Sequence, residues 1–302
     1  MLQKAGVIKI EKIVRDSAIK KNILRATVNG IKFVYDAEDG AQIERGFFSQ
    51  ADYNWCARYY KRSCSEKLAA QYPKCRPLGF NYSLTPAYGI LDYLSQNIRR
   101  LRGKGDMRHK DLEALPSLSK QPKILFITGL WDPAEFVDPA VQAEVAQITQ
   151  NRLDALKVIK SHFAHCSTFG VNGNRDFTRQ FASDMILAEK MTDRPYFIKV
   201  MKQHDICITT SGLHGSIGGR FGEYIAASRA IISEPLHYNL PGNFADGKNF
   251  LSFSDESSLV SSINHLLENH EARYAMMVEN RRYYENSLRP DKLILNTLVN
   301  VE

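Results

Sequence analysis

The feature that most constrains this chain is an alternation of short apolar runs with longer, helically spaced stretches across residues 123–284. Residues 123–129, 166–171, 205–210 and 230–233 are too short for stable helices and are rich in consecutive apolar or β-branched residues. A strand with one wet face alternates; a strand covered on both faces reads continuously apolar. Between these runs, Val145, Ile148, Leu153, Leu156, Ile159 and Phe163 recur at helical spacing, and residues 196–202 and 221–227 are also helical in pattern. Residues 251–253 offer a fifth strand before amphipathic runs at 257–267 and 271–284. This order predicts right-handed βαβ units, a parallel sheet and helices on both faces.

The upstream part is organised differently. Residues 23–28 and 31–35 flank Asn29-Gly30, a strong hairpin signal. Residues 7–10 read as a further β run, 77–80 as a strand end, and the aromatic segment 47–60 has no clear type. Residues 88–115 turn helical and then strongly basic, through Arg99, Arg100, Arg102 and Lys104. Two prolines and two serines in 115–122 mark a linker, which divides the chain into 1–118 and 119–302.

Composition narrows the class. With 44% apolar and 24% charged residues in 302, the chain has the make-up of a globular protein with a sizeable core. The opening residues lack a signal-peptide core and no apolar stretch reaches membrane-spanning length, so a cytoplasmic protein is expected. Five cysteines, odd in number and without a C-x-x-C pair, suggest neither a zinc site nor a disulfide framework. The net charge of +7 is compatible with anionic partners or with simple solubility. Charge alone gives no ground for a nucleic-acid role, and none is expected. The basic run from Arg99 to Lys104 reads either as a solvated helix end or as a peripheral contact with an anionic inner membrane face.

Chemistry concentrates in residues 209–233, which read as strand, glycine-rich loop, helix and strand. Glycines bring backbone N–H groups close to a ligand, and a helix N-terminus favours anions. In an open parallel sheet this loop lies where ligands bind, beyond the carboxyl ends of the strands. Arg220 suits a diphosphate, and Glu223, one turn later, suits ribose hydroxyls.

The segment from Arg220 through Phe221, Gly222, Glu223 and Tyr224 to Ile232 resembles the glycosyltransferases of GT-B fold, particularly those related to spore-coat and surface-polysaccharide transferases. The resemblance spans roughly 123–290, with residues 244–253 and 257–267 similar to the family's turn and helix around the last strand. Residues 33–40 and 52–63 look like the end of an acceptor domain. The resemblance implies an α/β fold of two Rossmann-like domains with parallel sheets, the amino-terminal one short or incomplete. It also implies transfer of a sugar from a nucleoside-diphosphate donor to a glycan, lipid or other hydroxyl acceptor, with no cofactor and no metal. The sequence departs from the pattern at Gly215, where retaining members carry an acid, and at Ser228-Arg229-Ala230, where Gly-x-Pro is usual.

Donor-binding candidates are therefore Arg220, Glu223, Gly218, Gly219, Thr210, Ser211 and Gly129, each with a plainer reading beside it. Arg220 and Glu223 can form an (i, i+3) ion pair; Thr210 and Ser211 can cap a helix; Gly129 can simply turn the chain. Asp36 and Asp39 are candidate general bases from the first domain, or an acidic turn. Arg152 reads as a solvated helix position and His214 as an exposed loop residue. Two other functions stay open: an NAD-dependent oxidoreductase using Glu234 on a ribose, although the glycines do not fit G-x-G-x-x-G, and a non-catalytic nucleotide-sugar-binding module.

Overall fold

The computed structural model describes residues 1–40, 46, 48–80, 84–85, 90–101, 107–173 and 175–299. Its first part contains β1 (Ile23–Val28), β2 (Ile31–Asp36), α1 (Gln50–Trp55), β3 (Arg58–Lys61), α2 (Glu66–Gln71), β4 (Cys75–Pro77), α3 (Ile90–Leu101) and α4 (His109–Leu112). There follow β5 (Ile124–Thr128), α5 (Pro139–His162), β6 (Ser167–Asn172), α6 (Asp176–Ala182), β7 (Ile186–Leu187), α7 (Glu189–Thr192), α8 (Arg194–Lys202) and β8 (Ile206–Thr209). The chain ends with α9 (Gly219–Ala226), β9 (Ala230–Ser233), β10 (Leu251–Ser252), α10 (Glu256–Glu268), α11 (His270–Tyr283) and α12 (Pro290–Val299).

The second sheet has six parallel strands in the order β10-β9-β8-β5-β6-β7. Its continuous apolar runs are explained by burial on both faces. Ile124, Phe126, Ile206, Ile208, Ala230 and Ile232 pack with Leu156 and Ile159 of α5 and with Leu259 and Ile263 of α10. Their neighbours Leu125, Ile127, Cys207 and Ile231 pack on the other side with Phe197 and Met201 of α8 and Phe221 and Ile225 of α9. Alternate strand residues thus serve two cores, as the period of two requires. The short strand β7 and helices α6 and α7 carried no clear sequence signal.

The first sheet has four strands in the order β1-β2-β3-β4. β1 and β2 form the expected antiparallel hairpin, with Asn29 at φ 49° and Gly30 at φ 81°. Both values are left-handed, which suits the twist of a tight hairpin and explains the Asn-Gly pair. β2, β3 and β4 then run parallel. One face packs Ile23, Val34, Tyr59 and Leu68; the other packs Phe33, Tyr35 and Tyr60 against Ile294 and Leu298 of α12. The last helix therefore returns to the first sheet, where Tyr35 Oη and Thr297 Oγ1 are 2.7 Å apart and Tyr60 Oη donates to Thr297 O at 3.1 Å.

One expectation is corrected. Residues 7–10 form no strand: Val7 and Ile10 are exposed, and no strand pairs with them among the described residues, Val7 N donating instead to Leu2 O at 3.0 Å. A lone extended run has no ladder to satisfy its backbone, so β propensity alone does not fix it. The aromatic segment resolves into α1 and β3, with Phe47 outside the described residues. The segment 115–122 is strapped to the second sheet: Ser119 N and Lys123 N donate to the Asp205 carboxylate at 2.9 and 3.2 Å, and Arg229 Nη2 donates to Leu115 O at 3.0 Å.

The carboxyl end of β2 is organised by a buried ion pair. Asp36 and Lys61 are both 0% exposed, and Lys61 Nζ lies 3.2 Å from Asp36 Oδ1. Tyr59 Oη donates to Asp36 Oδ2 at 2.6 Å, Glu38 N donates to Oδ1 at 2.8 Å, and Lys61 Nζ also donates to Glu38 O. Burial lowers the Lys61 pKa and Asp36 opposes that shift. Removing one partner strands the other charge in an apolar setting. Asp36→Ala is expected to cost about 3–5 kcal/mol in urea unfolding, while Asp36→Leu with Lys61→Met recovers much of the loss.

Candidate functional site

The strand order reverses between β5 and β8. From β5 the chain builds outward to β6 and β7, then returns to place β8, β9 and β10 on the other side. Loops leaving two such strands diverge and open a crevice at their carboxyl ends. There lies a cleft of about 280 Å³, lined by Thr128, Gly129 and Trp131 after β5, by Thr209, Thr210 and Gly212 after β8, and by residues 216–220. Arg152 of α5 forms part of its floor, and Asp39 reaches it from the first sheet.

Helix α5 braces both loops. It starts on Asp138, whose side chain accepts from Ala140 N, with Pro139 in the first turn. Arg152 is only 7% exposed. Its Nη1 donates to Gly129 O at 2.8 Å, Nε to Thr210 Oγ1 at 3.1 Å and Nη2 to Ser211 O at 3.2 Å. Its guanidinium also stacks on Trp131, 4.4 Å from the ring centroid. Burial pushes the Arg152 pKa down to about 10, Glu234 pulls it up, and Arg220 adds to the lowering. Even at that value the side chain is charged at neutral pH. Three residues earlier, Thr149 Oγ1 accepts from Trp131 N at 3.2 Å and donates to Trp131 O at 2.9 Å. One residue earlier, Asn151 Nδ2 donates to Glu234 Oε1 at 2.9 Å, and Glu234 Oε2 accepts from Ser211 N at 2.6 Å.

The glycine-rich loop is tightly closed. A Cβ on Gly212 would lie 2.6 Å from Ser216 Oγ, and one on Gly218 would meet Thr210 O at 3.1 Å and Thr209 Oγ1 at 3.2 Å. The loop delivers α9 with Gly218 as its N-cap and no side chain capping it, so the first-turn N–H groups stand at the cleft wall. Arg220 stacks over Phe197 at 3.9 Å, and its Nη1 is buried with no hydrogen-bond partner among the described residues. Charged donors seldom stay unpaired when buried, which marks this atom as awaiting an acceptor.

The two sheets meet at this loop. His214 has φ 60° and ψ 34°, and its Nδ1 lies 3.1 Å from Glu144 Oε2. Gly40, at φ 88°, packs so closely that a Cβ there would fall 2.8 Å from the His214 side chain. His214 O accepts from Tyr238 Oη at 2.5 Å. Asp39, one residue before Gly40, is paired with Arg62 at 2.5 Å.

Of the residues singled out from sequence, Gly129, Thr210, Gly218, Gly219, Arg220 and Asp39 line this cleft together. Ser211 is not among the lining residues and acts through its backbone, as described above. Glu223 is also absent from the lining: it is 3% exposed, and its Oε1 pairs with Arg194 at 2.6 Å, not with Arg220. Its Oε2 is buried without a hydrogen-bond partner among the described residues. Asp36 is corrected as a general base, because its carboxylate is sealed from solvent and occupied by Lys61, Tyr59 and Glu38 N. Arg152 and His214 are corrected too: neither is a solvated surface group. At Gly215, φ is 64° and a Cβ would come within 3.2 Å of the His237 ring, so the space an acidic side chain would need is taken. Arg152 shares its helical phase with Val145, Ile148, Leu156 and Ile159, and a cation on an apolar stripe was the available signal.

No family model matches the chain, and no curated protein matches it. Three solved structures illustrate what it is similar to. WaaG, a glycosyltransferase involved in lipopolysaccharide biosynthesis, is 13% identical over 80% of this chain, with a TM-score of 0.44. The chain spans 63% of the length of that structure. A glycosyltransferase from Rickettsia africae is 10% identical over 88% of this chain and 68% of its own, with a TM-score of 0.48. A Listeria monocytogenes protein proposed as a UDP-N-acetylglucosamine 2-epimerase is 11% identical over 76% of this chain and 55% of its own, with a TM-score of 0.38.

Arg152→Met keeps the length and apolar stem but orphans Gly129 O and Ser211 O. It is expected to lower unfolding stability by about 2–4 kcal/mol, with Arg152→Lys intermediate because an ammonium cannot reproduce the planar fork. Chemical denaturation followed by tryptophan fluorescence reads both, since Trp131 reports directly on the site.

Proposed function

We propose that the cleft binds the diphosphate of a nucleoside-diphosphate sugar, and that the chain transfers the sugar to a hydroxyl of a glycan or lipid-linked acceptor in a GT-B arrangement. The observation that carries this reading is the pairing of groups on one cleft: Arg220, whose Nη1 has no hydrogen-bond partner among the described residues, and the N-terminus of α9, which no side chain caps, beside Asp39 from the other sheet. An anion with two bridged phosphates matches a guanidinium next to converging N–H donors.

The chemistry follows from these positions. The acceptor oxygen bonds to the anomeric carbon as the carbon–oxygen bond to the diphosphate breaks, and Asp39 takes the hydroxyl proton. Negative charge grows on the departing diphosphate, where Arg220 and the α9 dipole are already oriented and need little reorganisation. This assigns charge stabilisation to protein groups and requires no metal. Arg62, paired with Asp39 at 2.5 Å, keeps the carboxylate aimed. Glu223 supports the wall from behind by holding Arg194, in place of a direct role on ribose. The oxidoreductase reading loses its acid, because both Glu234 oxygens already accept from Ser211 N and Asn151.

Thermal shifts with UDP, GDP, CMP, TDP and NAD test the reading. One nucleotide is expected to raise the melting temperature by mass action, and Arg220→Ala to weaken its binding by about 1.5–3 kcal/mol. Asp39→Asn is expected to retain binding but to lose roughly 10²- to 10⁴-fold in turnover with the matching nucleotide sugar. A response to NAD alone sinks the proposal; nucleotide binding without turnover by the parent leaves a binding module.

A further inference from the structure

The protein has two tryptophans, and the fold uses them differently. Trp55 packs against the core of the first sheet with Tyr53 and Tyr72. Trp131 belongs to none of the apolar cores formed by the described residues; it is half-buried and lines the cleft. A large aromatic side chain outside every core is not fixed by apolar packing. Trp131 is fixed by polar groups instead. Thr149 Oγ1 bonds both its N and its O, and the Arg152 guanidinium lies over the ring at 4.4 Å from the centroid. Two residues earlier, a Cβ on Gly129 would meet nothing within 4 Å, so open space stands beside the loop that carries the ring. What this loop offers the cleft is a flat, apolar surface already in place.

We propose that Trp131 is the platform on which the donor's sugar ring stacks, so that the donor is a neutral pyranose with a C–H face turned to the indole. This rests on the proposed function and deepens it, because it names the group that the anion-binding residues cannot hold. A diphosphate is recognised by charge. A neutral sugar ring carries none, and apart from its hydroxyls its broadest feature is a face of C–H bonds. That face matches a flat aromatic surface and gains by leaving water. Position selects the sugar over the nucleobase. Asp39 takes the proton of the acceptor hydroxyl, so the anomeric carbon and its ring stand near Asp39, and Trp131 lines the same cleft as Asp39. At about 280 Å³ that cleft is smaller than the roughly 300–1,000 Å³ of pockets that enclose a whole small molecule. It accommodates the diphosphate and one ring. The ring nearest the reaction is the sugar, and the base lies past the diphosphate.

The test is isothermal titration of the full chain with matched probes: UDP with UDP-glucose and UDP-N-acetylglucosamine, GDP with GDP-mannose, and TDP with TDP-glucose. The parent is expected to bind one bare nucleotide and at least one of its sugars. Trp131→Ala is expected to weaken the nucleotide sugar roughly tenfold while leaving the bare nucleotide within about twofold of the parent. The unchanged nucleotide affinity then shows that the rest of the cleft is intact. Trp131→Phe, which keeps a ring, should recover most of the loss. Trp131→Leu, which keeps apolar bulk without a ring, should not, and it carries the same comparison if the alanine variant does not fold. An equal loss with and without the sugar overturns the proposal and assigns the ring to the base or to the loop. Variants that bind both probes like the parent overturn it as well. A parent that holds a nucleotide but none of its sugars also overturns it, while the anion site stands. A parent that binds no probe removes the donor reading, and this inference with it.

Discussion

The buried guanidinium of Arg152 is the interaction on which the cleft depends. Loops at the end of a parallel sheet have no ladder of their own, and their carbonyls would otherwise need water. Arg152 satisfies two of them, Gly129 O and Ser211 O, together with the Thr210 hydroxyl, with one rigid fork anchored in a helix whose other inward residues are apolar apart from Thr149. Desolvation of the cation opposes this arrangement, and the lowered pKa records that opposition. The acceptors and the Glu234 carboxylate outweigh it, because each hydrogen bond from a charged donor is stronger than one from a neutral donor. The same helix supplies Thr149, Asn151 and Glu144, so the glycine-rich loop and the loop after β5 are fixed to one rod and move together.

The cleft is composite. The second sheet contributes the wall formed by the glycine-rich loop and Arg220, and the first contributes Asp39 through a turn that the Asp36–Lys61 pair holds in shape. The pair does not line the cleft, yet it shapes the turn that carries the Asp39 carboxylate into it. Gly40 is required at the next position because the His214 side chain occupies the space of a Cβ. A substitution at Gly40 would therefore push the two sheets apart at the point where their functional groups converge.

What could be read from sequence follows the range of the interaction. The parallel sheet, the Asn29-Gly30 hairpin and the strand–loop–helix unit around Arg220 are written in local periodicity and in turn chemistry. Arg220 and the glycines beside it were legible for the same reason. The roles of Glu234, His214 and Asp36 were not, since each depends on a partner brought near by the fold: Ser211, Glu144 and Lys61. Arg152 falls between these cases. Its helical phase pointed inward, but a charged residue suggests solvent until its acceptors are known. Residues 7–10 show the converse, where strong local propensity found no strand to pair with.

Helix α12 ties the order of synthesis to the order of assembly. Phe33, Tyr35 and Tyr60 are made before the whole of the second sheet, yet the face they form is covered by Ile294 and Leu298. A nascent chain must therefore carry an open aromatic surface through translation of the entire second sheet. Contacts separated by more than 230 residues, such as those of Tyr35 and Tyr60 with Thr297, close late and at high entropic cost. Until those contacts close, the aromatic face of the first sheet stays open, and that interval is when misassembly competes with folding.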